Sequence, residues 1–188
     1  MEGHAFRLRP AGDGDAGFIA GLRSDPALNR YLHETSGLAE DQLAWLARYY
    51  ERAGDFYFVV EHKKNRTAEG VISLYGIDAS ASAGEWGRWI LRKGSLAAVE
   101  SAWLIYITAF EILGLESVYC RTVADNGKVV SFHDSCGISK RRVLRGHFHI
   151  GGRKFDAIEH RVDRRDWGEI APRLEALAKM TARRIARG

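Results

Sequence analysis

The sequence has few of the features that mark secreted, membrane-spanning or multidomain proteins. It contains only two cysteines, without CxxC spacing, so neither a disulfide framework nor a zinc finger is predicted. The longest mainly apolar run, residues 102–110, is far shorter than the roughly 18 residues that a membrane span needs. The start, MEGHAFRLRP, lacks the apolar centre of a signal peptide. These absences predict a cytoplasmic protein with reduced cysteines and no membrane partner.

Length, composition and charge predict one folded domain over residues 1–188. Hydrophobic residues make up 46% of the chain and aromatic residues 11%, which is enough apolar material for a core. The net charge is +4, and the excess of Lys and Arg lies in the last third of the chain, which suits an anionic partner. No DNA-binding or RNA-binding motif accompanies this charge. A solvated basic face is therefore favoured over nucleic-acid binding, which ranks third among the functions considered below.

The spacing of apolar residues predicts an α/β chain with the element order βα(α)βββαβαββα. Strands are expected at residues 5–9, 56–62, 70–77, 85–91 and 118–123, and in two runs around residues 151–152. Helices are expected at residues 13–22, 38–52, 96–113, 126–136 and about 167–188. The helix at 96–113 connects two strands by a right-handed crossover, which makes those strands parallel. The predicted fold is a mixed, mostly antiparallel sheet of about seven strands, with a parallel pair in the middle and helices on both faces.

The Gly151-Gly152 dipeptide predicts a tight hairpin between the last two strands. A two-residue turn would place Ile150 opposite Arg153, Phe148 opposite Phe155 and His147 opposite Asp156. The last of these pairs would be an ion pair. His147, His149 and His160 superficially resemble a metal site, but that ion pair explains His147 without a metal, so none is expected. Ser95, Ser131 and Ser135 lack the surroundings of a nucleophilic serine.

The segment EWGRWILRKGSLAAVES contains a loop of small residues that leads into a helix. A helix N-terminus offers unpaired backbone N–H groups to a phosphate, and small residues allow its close approach. Arg92 and Lys93 add positive charge, and Ser95 is expected to be the N-cap. An ordinary strand-to-helix turn explains the same residues equally well. Neither a P-loop nor a GxGxxG motif is present.

Six segments spread over nearly the whole chain carry a family resemblance. They are FRLRP, VISLYGID, GEWGRWI, AFEILGL, VYCRTVADN and VSFHDSCGI. With these the chain resembles the GCN5-related N-acetyltransferase (GNAT) family, in the branch that acetylates ribosomal-protein N-termini. SLAAVESAWLIY and VADNGKVVSFHDS most resemble acetyltransferases of bacterial surface-polysaccharide pathways. The resemblance implies the GNAT fold, acetyl-CoA as cosubstrate without a metal, a small-molecule amine acceptor, and a monomer or homodimer.

The pyrophosphate loop departs from the family pattern Q/R-x-x-G-x-G/A. Lys93 stands at its first position, Leu96 at the first glycine and Ala98 at the last, while Gly94 lies inside a loop about two residues short. A non-catalytic binding module with an inherited fold is therefore the alternative from another functional class.

The resemblance also implies roles for individual residues in the transfer of acetyl to an amine. The residues expected to bind the cofactor are Ile90, Leu91, Arg92, Lys93, Gly94, Ser95, Leu96, Ala97, Ala98 and Asn126. Backbone N–H groups near Ile90 and Leu91 would stabilise the oxyanion. His133 stands where many members carry the Tyr that protonates the sulfur of coenzyme A, and it is equally well explained as a half-buried helix residue.

Glu85 is the candidate general base, with a strand-edge carboxylate as the plainer explanation. Tyr31, His33, Glu34 and Tyr75 are expected to line the acceptor pocket, although the first three could be loop residues and Tyr75 could be core. The leading function is acetyl-CoA-dependent N-acetylation of a nucleotide-linked amino sugar. A protein N-terminus and a polyamine are the alternative acceptors.

Overall fold

The structure is a computed structural model that describes residues 1–187. Its strands are β1 (Phe6–Pro10), β2 (Phe56–His62), β3 (Ala68–Asp78), β4 (Ala83–Leu91), β5 (Ser117–Val123), β6 (Arg141–Ile150) and β7 (Arg153–Asp163). Its helices are α1 (Ala16–Ser24), α2 (Ala39–Tyr50), α3 (Ala98–Ile107), α4 (Gly127–Ser135) and α5 (Arg164–Arg187). Helix α3 continues as a π-helical turn over Thr108–Ile112, and short 3-10 turns occupy Asp13–Asp15 and Asn29–Tyr31.

The seven strands form one mixed sheet in the order β1-β2-β3-β4-β5-β7-β6. Every neighbouring pair is antiparallel except β4 and β5, which α3 connects as a crossover. The predicted α/β fold with a central parallel pair is therefore confirmed. No helix within residues 1–187 is long and apolar enough to cross a membrane.

Two hydrophobic cores lie on opposite faces of the sheet. On one face α3 and α5 pack against strand residues such as Leu74 and Val118, and Leu104 of α3 is fully buried there. On the other face α1 and α2 cover the β1–β4 half through residues such as Ile19 and Leu46. Helices therefore lie on both faces, as predicted. The second face is left without a helix over β5, β7 and β6.

The starts of α3 and α5 differ from the sequence prediction for reasons that the structure shows. Helix α3 begins at Ala98, and its N-cap is Ala97. Ser95 is not the N-cap, because its hydroxyl accepts the N–H of Ala97 at 3.2 Å and closes the turn before the helix. The last helix begins at Arg164 rather than 167, since the Arg164 N–H donates to the Glu116 carbonyl at 2.9 Å. Residue 188 of the predicted helix lies outside the described residues.

The final hairpin confirms part of the predicted register. Ile150 pairs with Arg153 and Phe148 with Phe155. The expected His147–Asp156 ion pair is wrong, because β6 bulges between Leu144 and Phe148. The carboxylate of Asp156 instead accepts the Gly146 N–H at 2.8 Å and an Arg145 guanidinium N–H at 2.6 Å. A glycine with φ of +56° permits this bulge.

Glu100 of α3 anchors the N-terminal strand to the helix. Its side chain is fully buried, and its Oε1 accepts the N–H groups of Ala5 at 3.0 Å and Phe6 at 3.2 Å. Burial raises the pKa of this carboxyl, and the backbone hydrogen bonds oppose the rise. The carboxylate thus satisfies N–H groups at the point where β1 enters the sheet.

We expect Glu100→Ala to lower the free energy of unfolding by about 2–3 kcal/mol, because it leaves two N–H groups without their acceptor. Glu100→Gln keeps an acceptor oxygen and should restore most of that loss. Urea denaturation followed by circular dichroism measures both. The matched control is Glu169→Ala on the exposed side of α5, where a change within about 0.5 kcal/mol is expected. Equal effects of the two alanine variants would contradict the assignment.

Candidate active site

The parallel strands β4 and β5 pair only at their first residues. The pairing covers Ala83–Glu85 on β4 and Ser117–Tyr119 on β5, after which the two strands separate. Strand β5 remains fully paired with β7 on its other edge. The edge of β4 that faces β5 therefore has no strand partner from Trp86 to Leu91. We call this opening the β4–β5 cleft.

One backbone N–H of β4 is directed into the cleft. The Arg92 N–H donates to the Glu69 carbonyl on the β3 side at 2.8 Å. Because N–H groups alternate between the two edges of an extended strand, the N–H of Leu91 lies on the opposite edge, facing the cleft. An unpaired N–H at this position can donate to an oxyanion. The same alternation directs the Ile90 N–H toward β3.

A bulge in β4 redirects its backbone next to the cleft. Arg88 and Trp89 together lie opposite the single residue Ile72, and Arg88 has a φ of +47°. This conformation is costly for a residue other than glycine. It is held by two hydrogen bonds from the Arg88 guanidinium to Asp55, at 2.6 and 2.9 Å. Sequence analysis missed Arg88, since no local pattern indicates a positive φ there.

The loop after β4 meets the N-terminus of α3 at the outer end of the cleft. Arg92, Lys93 and Gly94 are exposed, and Gly94 has a φ of +83°, which favours glycine. The N-cap Ala97 provides no side-chain hydrogen bond to the first turn of α3. The first N–H groups of α3 thus carry a partial positive charge beside two cationic side chains. This arrangement can bind a phosphate group.

The N-terminus of α4 lies on the other side of the cleft. Asn126 is its N-cap, but its side chain makes no capping hydrogen bond to the first turn of the helix, so its amide can turn to a ligand. The Tyr31 hydroxyl donates to the carbonyl of Asp125 at 2.9 Å and so brings the α1–α2 segment to the same place. His33 and Glu34 follow in that segment, and both are exposed.

His133 lies beneath the point where β4 and β5 separate. It contacts the residue of each strand that follows the last β4–β5 pair. Its ring lies 5.3 Å from that of Trp86, and its Nε2 lies 3.5 Å from the Sγ of Cys120. The side chain is only 1% exposed, and its ring centroid is 4.9 Å from that of His160. Burial, with a smaller contribution from His160, lowers the pKa of His133 to about 3. The imidazole is therefore neutral at pH 7, and it can donate a hydrogen bond but holds no second proton.

Glu85, the last paired residue of β4, lies on the opposite face of the sheet. Its Oε1 accepts the Tyr75 hydroxyl at 3.2 Å, and its Oε2 accepts an N–H of Arg121 at 3.0 Å. Burial raises the pKa of Glu85, and the charge of Arg121 opposes the rise. Burial also raises the pKa of Tyr75, so its hydroxyl stays protonated. Arg121 was missed from the sequence, although an arginine in the apolar run VYCRTV was the available signal.

The structure brings most of the predicted site residues to one place. Glu85 and His133 flank the start of the cleft from opposite faces, the loop over residues 92–97 forms its outer end, and Asn126 borders it. His33 and Glu34 lie in an exposed segment that contacts the site through Tyr31. Within residues 1–187, no three His, Cys, Asp or Glu side chains are grouped closely enough to hold a metal ion.

The sequence profile of the acetyltransferase (GNAT) domain family matches residues 6–139. The chain therefore belongs to the GNAT family of N-acetyltransferases, whose members use acetyl-CoA. No curated protein matches the chain at a significant level.

Two solved structures illustrate the likeness of the fold. The ligand-free structure of FdhC, a nucleotide-linked sugar GNAT, is 27% identical, with a TM-score of 0.75 over 90% of this chain and 92% of that chain. A dodecameric spermidine N-acetyltransferase from Vibrio cholerae is 21% identical, with a TM-score of 0.72 over 87% of this chain and 96% of that chain. The second likeness, at its lower identity, concerns the fold alone.

We expect the ring protons of His133 to show no titration between about pH 5 and 8 in NMR spectra. The folded-state pKa lies below the 6.5 of an ordinary histidine, so the unfolded chain takes up the proton first. His133 thus contributes stability that is present above pH 6.5 and is lost as the pH falls toward 3. His133→Gln, whose side chain does not titrate, should flatten this part of the stability profile. A titration midpoint near 6.5 would contradict the buried, neutral imidazole.

Proposed function

We propose that this GNAT enzyme is cytoplasmic and transfers the acetyl group of acetyl-CoA directly to the primary amine of a nucleotide-linked amino sugar. The observation that carries the proposal is the β4–β5 cleft, which extends from the uncapped N-terminus of α3 to Glu85. A donor bound along it would have its phosphates at one end and its thioester at the other. The departures in the pyrophosphate loop still leave the first turn of α3 without a side-chain cap, so its N–H groups remain available to a phosphate.

Donor binding is assigned to backbone N–H groups and a few side chains. The first turn of α3 would bind the pyrophosphate. Arg92 and Lys93 would add positive charge beside a loop that lacks the family's glycines. Ser95, Ala97 and Ala98 keep side chains short where the phosphates approach. Asn126, with its free amide, would contact the pantetheine arm or a phosphate from the α4 side.

The chemistry follows from the groups at the start of the cleft. Glu85 takes the proton from the acceptor ammonium, since only a neutral amine is nucleophilic. The raised pKa of Glu85 makes its carboxylate a stronger base for this step. The amine forms a bond to the thioester carbon, and the Leu91 N–H donates to the oxygen that becomes negative. The carbon–sulfur bond then breaks, the second proton lost by the nitrogen passes to the departing thiolate, and the neutral His133 donates a hydrogen bond to that sulfur.

The charge of the β6–β7 hairpin supports an anionic acceptor. Residues 141–163 hold six Arg and Lys against three Asp and Glu, and most of these cations are exposed. A polyamine is itself a polycation and would be repelled, whereas the diphosphate of a nucleotide-linked sugar would be attracted. The likeness to a nucleotide-linked sugar GNAT agrees with this choice. Tyr31 and Tyr75, with His33 and Glu34 in the exposed segment between α1 and α2, would border the acceptor.

We expect turnover with a nucleotide-linked amino sugar and acetyl-CoA, and at least tenfold lower kcat/KM with spermidine or a peptide N-terminus. Release of coenzyme A thiol together with mass spectrometry of the acetylated product measures this. Faster acetylation of spermidine would overturn the acceptor assignment. Absence of transfer to every amine, in a protein that binds acetyl-CoA by calorimetry, would instead favour the non-catalytic module.

We expect Glu85→Gln to lower kcat by about 10²–10⁴-fold, because the amide accepts no proton from the ammonium. The Kd for acetyl-CoA should stay within about twofold of the wild type, since Glu85 lies on the acceptor face. Glu169→Gln provides the control for loss of one surface carboxylate. Wild-type turnover in Glu85→Gln would remove Glu85 from the mechanism, and weakened acetyl-CoA binding would place it in the donor site.

A further inference from the structure

We infer that Arg121 is the positioning residue of the base, holding the Glu85 carboxylate oriented and ionised between two sheet strands; this assignment rests on the proposed function. Arg121 was not among the residues expected from the sequence to act in the site. It touches neither the donor nor the amine in this account, and it acts on the reaction through Glu85 alone.

The guanidinium of Arg121 is fixed by three contacts. Its Nη1 donates to Oε2 of Glu85 at 3.0 Å, and its Nε donates to Oε2 of Glu159 at 3.0 Å. Its charged carbon lies 4.6 Å from the centre of the Tyr119 ring. Tyr119 is also the residue opposite Glu85 in the last β4–β5 pair. The guanidinium therefore lies one pleat beyond the base, on the same face of the sheet.

The second carboxylate in this arrangement is buried and hydrogen-bonded on both sides. Glu159 lies on β7 and is 2% exposed. On one side it faces Arg121 of β5, and on the other side it faces Arg142 of β6. The Nε and Nη2 of Arg142 donate to its two oxygens at 2.8 and 3.2 Å. A line of alternating charges thus crosses β4, β5, β7 and β6. Because Glu159 is buried and bonded to both arginines, its bond to the Nε of Arg121 orients that side chain with its Nη1 toward Glu85.

Electrostatics gives this contact a catalytic consequence. The groups that act on Glu85 are Tyr75 from β3, Arg88 from β4, Arg121 from β5 and Glu159 from β7. Burial raises the pKa of Glu85, and Arg121 is the strongest influence that lowers it. A protonated carboxyl cannot accept the proton of an ammonium. Arg121 therefore favours the ionised form of a desolvated carboxylate, which is the form that can act as a base.

The choice of arginine follows from the geometry. A planar guanidinium donates from separate nitrogens in fixed directions, so one side chain can bridge two carboxylates on neighbouring strands. A lysine ammonium at the same position supplies the charge from a single nitrogen on a flexible chain. Charge and orientation can therefore be tested separately with Gln and Lys variants.

The experiment is an NMR titration of the Glu85 side-chain carboxyl carbon in the wild type, Arg121→Gln and Arg142→Gln, without any substrate. The two variants lose the same charge, but only the first breaks the contact with Glu85. We expect Arg121→Gln to move the Glu85 midpoint up by about one pH unit or more, as loss of an adjacent opposite charge does. Arg142→Gln should move it by less than half as much. The acid limb of kcat/KM should move in parallel.

Arg121→Lys keeps the charge and serves if Arg121→Gln does not fold. It should leave the midpoint close to the wild type while lowering kcat, because orientation is lost. If the wild type is active, either of two results would overturn the assignment. They are an unchanged Glu85 titration midpoint in Arg121→Gln, or equal shifts of that midpoint in Arg121→Gln and Arg142→Gln. If the wild type transfers no acetyl group to any amine, the proposed function fails first and the assignment falls with it, whatever the midpoints are.

Discussion

The separation of β4 from β5 after three paired residues is the constraint on which the site depends. A strand edge inside a sheet normally has its N–H and C=O groups paired by the next strand. Here β5 is held by β7 along its whole length, while β4 turns away through a bulge held by the Arg88–Asp55 pair. The backbone groups left on β4 are available to a ligand, and the crossover helix α3 begins at the end of the same opening.

The cleft divides the chemistry between the two faces of the sheet. On the face covered by α3 and α5 lie the aromatic and sulfur contacts of His133, where burial keeps the imidazole neutral. On the other face lies a charged line that begins at Glu85 on β4 and runs across β5, β7 and β6, the half of the sheet that no helix covers on that face. A reacting carbonyl between the faces would meet a backbone donor at the strand edge, a base on one side and an apolar surrounding on the other. In the mechanism proposed above, this arrangement would separate proton removal from the leaving sulfur.

The sequence predicted the features that depend on local patterns. Strand and helix order followed from apolar spacing, and the register near Gly151-Gly152 followed from a two-residue turn. The His147–Asp156 pair failed because Gly146 allows a bulge, and a lone glycine inside a strand was a signal of it. Arg121 and Glu85 are distant in sequence, so their contact depends on which strands become neighbours. No local sequence pattern indicates the positive φ of Arg88, because the residue that stabilises it, Asp55, lies in the connection between α2 and β2.

The most direct test of the account is to map the backbone amide shifts of the ¹⁵N-labelled protein as acetyl-CoA is added. In the proposed function the donor lies along the β4–β5 cleft. We therefore expect the largest shifts at Leu91, in the loop over residues 92–97, in the first turn of α3 and at Asn126. Small shifts are expected on the outer side of α5. Shifts centred elsewhere, or none at saturating acetyl-CoA in a folded protein, would contradict the cleft as the donor site.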